Sequence, residues 1–302
     1  MAIITPALIQ ALFTGYRSEF QQGQQQAAPQ WNKVAMAISS TSKSNTYGWL
    51  GKFPAFREWI GDRVINDMQA HGYAIINKTF ESTVGVSRDD IEDDNLGIYS
   101  PMFQEMGRMA EVHPDEMVYG LLAAGTSALC YDGQNFFDTD HPVYPKADGT
   151  GTAVSVSNYN DGGATPGAAW YLLDTSRAIK PLILQERRKP AFTSMTKLDD
   201  EHVFTANEFR FGVDCRRNAG FGLWQLAYCS KAALTGDNLW DAVSAMRALT
   251  ADGGRKLGVK PNVLVVPTAL EKQATRLLER ELESSSSNEL KGRLELVVAD
   301  YL

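Results

Sequence analysis

Residues 73–86 carry the pattern that most limits what this chain can become. Ala74, Ile76, Phe80, Val84 and Val86 fall on one parity, broken only by Lys78 and Ser82, while Asn77, Thr79, Glu81 and Thr83 fall on the other. Alternation of this kind gives an extended strand one apolar and one polar face. Residues 63–68 can supply a hairpin partner, with a turn near His71 and Gly72. A lone two-stranded hairpin gains too little from its own contacts to be stable in water. Something outside the hairpin must therefore cover Phe80 and Val84.

Composition says what that larger body can be. The 302 residues suffice for one large domain or two ordinary ones, and 44% hydrophobic residues exclude global disorder. The formal net charge of −7 argues against tight binding to phosphate backbones, which Lys and Arg would have to neutralise. Cys130, Cys215 and Cys229 form no CxxC pair, which excludes a zinc ribbon or dithiol motif and fits a reducing compartment. The opening MAIITPALIQALF lacks a basic stretch before its apolar residues, and no apolar run reaches the ~18 residues of a membrane span. The expectation is a soluble cytosolic protein without a signal peptide.

Thr5 and Pro6 suit a helix start, and Leu8, Ile9, Leu12, Phe13, Tyr16 and Phe20 follow at helical spacing. The Gln-rich residues 21–30 read as flexible, so residues 1–45 look like an arm. Trp49, Phe53, Phe56 and Trp59 crowd the next stretch as core or as a contact surface for another subunit. Ser87 caps the following segment, and a helix is predicted over about 94–112 with Ile98, Met102, Met106 and Met109 as a core-facing stripe. His113 and Pro114 are expected to end it, before a shorter helix holding Met117, Val118, Leu121 and Leu122. Residues 146–167 read as a long loop or insertion. After about residue 220 the pattern is helix (237–249), strand (262–266), helix and strand, a small α/β layer. Thr268 and Glu271 suggest a capping box opening a helix that runs to about 283, with 284–287 as a flexible tip.

Chemistry concentrates in CYDGQNFFDTDHPVY, residues 130–144, where Asp132, Asp138, Asp140 and His141 are metal-ligand and general-base types. A metal-dependent hydrolase using Asp138, Asp140 and His141 is the alternative function. The flanking Asp132-Gly133 and His141-Pro142 pairs favour a structural turn. His71, His113 and His141 all stand beside Gly or Pro at expected turns, and the chain lacks GxSxG, HExxH, P-loop and GxGxxG motifs. The basic clusters at 187–189 and 254–260 read as surface charge.

Four stretches, taken in order, resemble the Mu-like phage major head subunit family. They are WLGKFPAFREWIGDRVI, KTFESTVGVSRDDIEDDNLGIYSPMFQEMG, DGQNFFDTDHP and WYLLDTSRAIKPLILQERRKPAF, and the likeness runs from about Thr46 onward. The resemblance implies an α+β Hong Kong 97-like capsid fold. Its expected parts are an N-terminal arm (1–45), an E-loop hairpin with the start of the peripheral domain (46–93), a peripheral domain with a long spine helix and a loop-rich insertion near 142–167 (94–219), and an α/β axial domain (220–302). It implies a structural protein and not an enzyme: the major capsid protein of a tailed phage or prophage, assembled in the bacterial cytoplasm into the icosahedral shell of the virion. Hexamers and pentamers of the chain would enclose double-stranded DNA without sequence-specific binding, helped by a separate scaffolding protein, a portal and a maturation protease. No cofactor, metal or membrane is implied. The founding fold member crosslinks Lys to Asn; Asn77 and Lys78 lie in the hairpin, but no catalytic Glu or partner Asn is identified, so no crosslink is inferred. The assembly-contact candidates are Trp49, Phe53, Phe56, Trp59, Ile76, Phe80 and Val84.

Overall fold

The computed structural model describes residues 4–51, 72–93, 96–147, 149–197, 200–283 and 286–302. Thr5 Oγ1 accepts the Leu8 N–H at 3.2 Å and Pro6 sits in the first turn, so α1 (Pro6–Gln26) starts where its cap dictates. The helix runs into the Gln-rich stretch that was expected to be flexible. Gln is a good helix former, and Tyr16, Phe20 and Gly23 are buried, so tertiary packing carries the helix to Gln26. A short helix α2 (Trp31–Val34) follows, its Trp31 N–H donating to the Asp115 carboxylate at 2.6 Å. β1 (Ala35–Ser39) then pairs parallel with a distant strand.

β2 (Ser44–Thr46) pairs antiparallel with β3 (Ala74–Ile76), and β4 (Lys78–Ser87) follows at once. The predicted single strand over 73–86 is thus two strands, and their buried parities differ. In β3 Ile75 is buried while Ala74 and Ile76 are exposed; in β4 Val86 is buried and Phe80 and Val84 are half-buried. Asn77 causes the switch. Its side chain is buried, donates to Ser40 Oγ at 2.8 Å and accepts from Gln185 Nε2 at 2.9 Å. A buried amide must keep such partners, so Asn77 points inward with Ile75. The proposed hairpin partner 63–68 lies outside the described residues, as does His71.

Ser87 Oγ accepts the Asp89 N–H and opens α3 (Arg88–Glu92). The long helix α4 (Ser100–Ala123) spans 24 residues and does not end at His113-Pro114. Pro114 has no N–H for the Ala110 carbonyl. Arg217 Nη2 donates to that carbonyl at 2.7 Å instead, so the helix continues. The methionine stripe is also not a core stripe. Phe103, Met106, Gly107, Val112, Val118, Tyr119 and Leu122 are buried, but Met102 is 50% and Met109 37% exposed, and Ile98 just before the helix is exposed too.

β5 (His141–Val143) and β6 (Val154–Val156) form a hairpin, and β7 (Tyr159–Asn160) follows, so the expected loop 146–167 contains two strands. After β8 (Trp170–Leu173) come β9 (Leu182–Met195), α5 (Glu201–Ala206) and β10 (Glu208–Phe221). The chain finishes with β11 (Ala227–Ser230), α6 (Gly236–Ala248), β12 (Val263–Pro267), α7 (Glu271–Glu279), β13 (Leu282–Glu283), β14 (Ser286–Ser287) and β15 (Glu295–Ala299). The capping box does not form. Thr268–Leu270 makes a separate 3-10 turn after Pro267, which leaves Glu271 as the first residue of α7 and no side-chain cap. Residues 284–285 lie outside the described residues, and β13 and β14 pair on either side of them.

Two larger sheets organise these parts. One has the order β1-β9-β10-β4; the other has the order β15-β12-β8-β11-β7. The α/β layer expected after residue 220 therefore also takes β7 and β8 from residues 159–173. All four residues of β8 are buried, and a strand apolar on both faces belongs in the middle of a covered sheet. A large core surrounds this second sheet, with Trp170, Leu172, Trp224 and Val265 fully enclosed. A smaller core lies between α1, α4 and the first sheet, where Tyr16 stacks on Phe103 at 4.2 Å and Phe103 meets Phe211 edge-on at 5.7 Å.

Candidate assembly surface

α1 covers one side of α4, and the opposite side overhangs β4 and β10. Between α4 and these strands lies an open groove of about 410 Å³, floored by Phe80, Val84, Met102, Met106, Met109 and His113. Its rim carries Glu81, Glu105, Glu116 and Asp214. Thioether side chains are adaptable, and exposed apolar surface rimmed by polar groups marks an interaction site.

Arg217 braces the groove from below. It is buried, and besides holding the Ala110 carbonyl its Nε donates to His113 Nδ1 at 3.1 Å. His113 meets Phe80 edge-on at 4.4 Å. Burial, with the neighbouring Arg217 charge, pushes the His113 imidazole down to about 4.

Phe80 and Val84 line this groove beside the methionines. Ile76 stands 55% exposed on β3. Trp49 is half-buried against the larger core, edge-on to Tyr47 at 6.0 Å. Phe53, Phe56 and Trp59 lie outside the described residues. Sequence reasoning missed Met102 and Met109 as open surface, because helical spacing alone does not say which neighbour covers a stripe. It also missed Phe204, 88% exposed in α5 beyond the ends of β9 and β10. The short stretch EHVFTAN holds two large apolar residues side by side, Val203 and Phe204, and a short helix can bury only one of such a pair.

Asp138 and Asp140 meet, but His141 does not join them. Asp138 accepts the Asn135 and Thr139 N–H groups, the second at 2.7 Å, which is a turn-forming arrangement. A hydrogen bond to Asp138 raises the exposed Asp140 carboxyl above its ordinary value. His141 starts β5 and points the other way, as strand alternation requires. It is fully buried, stacked on Trp224 at 3.9 Å, with Nδ1 2.7 Å from Asp132 Oδ2 and Nε2 3.2 Å from Asn158 Oδ1. The expectation of a loop histidine is corrected, as it is for the helical His113.

The family model for the Mu-like prophage major head subunit gpT matches residues 9–302. The major capsid protein of Escherichia phage Mu is 58% identical over 304 residues, covering 99% of this chain and 100% of that one. The Mu-like prophage FluMu major head subunit of Haemophilus influenzae is 48% identical over 309 residues, covering 100% of both. Among solved structures, the chain in the procapsid of bacteriophage JBD30 is 57% identical with a TM-score of 0.88, covering 99% of this chain and 100% of that one. The bacteriophage JBD30 capsid chain is 42% identical with a TM-score of 0.75, covering 99% of each.

Two sheets beneath a long helix, with an open groove along it, are here the fold of a phage capsid subunit of the Hong Kong 97-like type. The chain belongs to the Mu-like prophage major head subunit gpT family. Its function is that of a major capsid protein, the repeating unit of an icosahedral head shell, and not an enzymatic one. No helix among the described residues is long and apolar enough to cross a membrane.

Proposed function

We propose that the groove between α4 and the first sheet is covered by a neighbouring subunit in the shell. The observation that carries this is the exposure of Met102 and Met109 beside Phe80, an apolar lining left open in a chain that works as many touching copies. Trp49, Phe53, Phe56, Trp59, Ile76 and Val84 join Phe80 as contact residues in this reading. The chain then divides into an arm (1–45), an E-loop region (46–93), a peripheral domain built on α4 as spine (94–219) and an axial domain (220–302) that borrows β7 and β8. Hexamers and pentamers form the shell around double-stranded DNA, held without sequence-specific contacts, as the net charge of −7 favours. A separate scaffolding protein, a portal and a maturation protease complete the assembly. The higher TM-score to the procapsid chain, 0.88 against 0.75, supports an immature-shell conformation.

The test is Met102→Asp combined with Met109→Asp. Met102 is 50% and Met109 37% exposed in the subunit, so each change costs about 1 kcal/mol, chiefly through the lower helix propensity of Asp. Circular dichroism should stay near wild type and melting should fall only modestly, while sedimentation and negative-stain images lose closed shells. Shells of normal size and yield from this variant would overturn the assignment.

A further inference from the structure

We propose that Cys130, Asp132 and His141 form a structural binding site for a divalent transition-metal ion of the Zn2+ class. The turn after α4 brings the first two together. Gly133, at φ +88°, lets the chain reverse so that Cys130 N donates to Gln134 O at 2.8 Å and Gln134 N donates to Asp132 Oδ1 at 3.1 Å. Cys130 Sγ then lies 3.0 Å from Asp132 Oδ1, and His141 Nδ1 reaches Asp132 Oδ2 from β5. One donor atom from each of the three residues lies within 4.8 Å of the others.

Asn158 is the independent observation. It is almost wholly buried, and its Nδ2 donates to Phe136 O at 2.8 Å and to Trp224 O and Ala227 O at 3.3 Å. Those carbonyls allow only one orientation of the amide, with Oδ1 toward His141 Nε2 at 3.2 Å. That oxygen also accepts the Asp138 N–H at 3.0 Å. Nε2 must therefore carry the ring proton and donate to Asn158. Nδ1 is left facing the Asp132 carboxylate at 2.7 Å, so the pair needs a cation: a proton at that spacing, or a metal ion once the two side chains open by about 0.6 Å to tetrahedral ligand spacing. A proton would satisfy that pair alone. The thiol beside it points to a metal, because thiolate, carboxylate and neutral imidazole are three ligands of a tetrahedral zinc site. The bond from Nε2–H to Asn158 is the outer contact that orients a metal-bound histidine. Binding releases the Cys130 proton to solvent as the thiolate takes the ion. The ion would tie the turn after α4 to β5 and to the Trp224 segment, in a chain whose three cysteines are all free. The fourth position is left for water.

Full-length purified protein tests this directly. Elemental analysis should find one equivalent of zinc per chain, and chelation should lower the melting temperature until Zn2+ is restored. Co2+ added to the stripped wild-type chain should give a thiolate-to-cobalt charge-transfer band in the near ultraviolet. Cys130→Ser should abolish that band, whereas Asp140→Ala should keep it. A wild-type chain without bound metal, without the cobalt band and with melting unmoved by chelator would overturn the proposal and leave a proton as the cation. A band that survives Cys130→Ser would overturn it too. If Cys130→Ser does not fold, the wild-type cobalt spectrum and chelator response still decide.

Discussion

Pro114 leaves the Ala110 carbonyl without its helical donor, and Arg217 supplies one from β10, 107 residues away. Arg217→Met should therefore do more than remove a charge. It leaves a half-buried carbonyl unpaired, at a cost toward the lower end of the about 1–3 kcal/mol of a fully buried group. In a Pro114→Ala background the backbone N–H returns, and the same Arg217→Met change should cost measurably less. Equal losses in both backgrounds, read by chemical denaturation, would show that Arg217 does not serve that carbonyl. The same guanidinium donates to His113, whose imidazole titrates near 4 in the folded chain and near ~6.5 when unfolded. Between those values the unfolded state binds the extra proton, so stability rises with pH. The contribution is complete above ~6.5 and is lost as pH falls toward 4. Melts across this window should show a steeper slope for wild type than for His113→Gln; parallel slopes would remove His113 from the acid response.

Helix α1 shows how an element can be half legible. Thr5, Pro6 and the apolar spacing announce its start, but nothing local announces its docking. A Cβ on Gly107 would stand 2.0 Å from Phe20 O, and one on Gly23 would stand 1.8 Å from Gln104 O. The two backbones touch at these glycines, which is why the segment read as a loose arm packs tightly on α4. Gly107→Ala should lift α1 from α4, at the ~1–3 kcal/mol typical of overpacking or more. A lower melting temperature together with faster proteolysis within α1 is the expected outcome, and unchanged protection would mean that α1 does not depend on this contact. At β3 the same lesson appears as a parity switch. Alternation located the strand, but Asn77, held by Ser40 and Gln185, decided which way Ile75 and Ile76 face.

At the scale of the molecule, β2 and β3 bracket the aromatic segment. Thr46 is the register partner of Ala74, so the two strands that flank the segment end side by side. Tyr73 and Ile75 belong to the body: Ile75 is buried, and the Tyr73 hydroxyl accepts the Phe221 N–H at 2.7 Å. Replacing residues 54–70 with a short Gly-Ser linker keeps the β2–β3 pairing, the buried Ile75 and the Tyr73 hydrogen bond. The replaced chain should fold with near wild-type circular dichroism and sediment as small oligomers. Closed particles of normal size would show that Phe56 and Trp59 are dispensable for assembly.

The sequence by itself determined what depends on near neighbours. Thr5 and Ser87 cap helices through side-chain bonds spanning two or three residues. Period two located β4, β12 reads as a short apolar run, and four ordered stretches marked the capsid family. The tertiary structure decided what depends on partners far along the chain. It carried α4 through Pro114, left Met102 and Met109 open, and set β8 at the centre of a sheet completed after residue 220. It also turned His141 away from Asp138 and Asp140 toward Asp132 and Asn158. Burial and hydrogen-bond satisfaction are properties of the assembled core, and no local window of residues contains them.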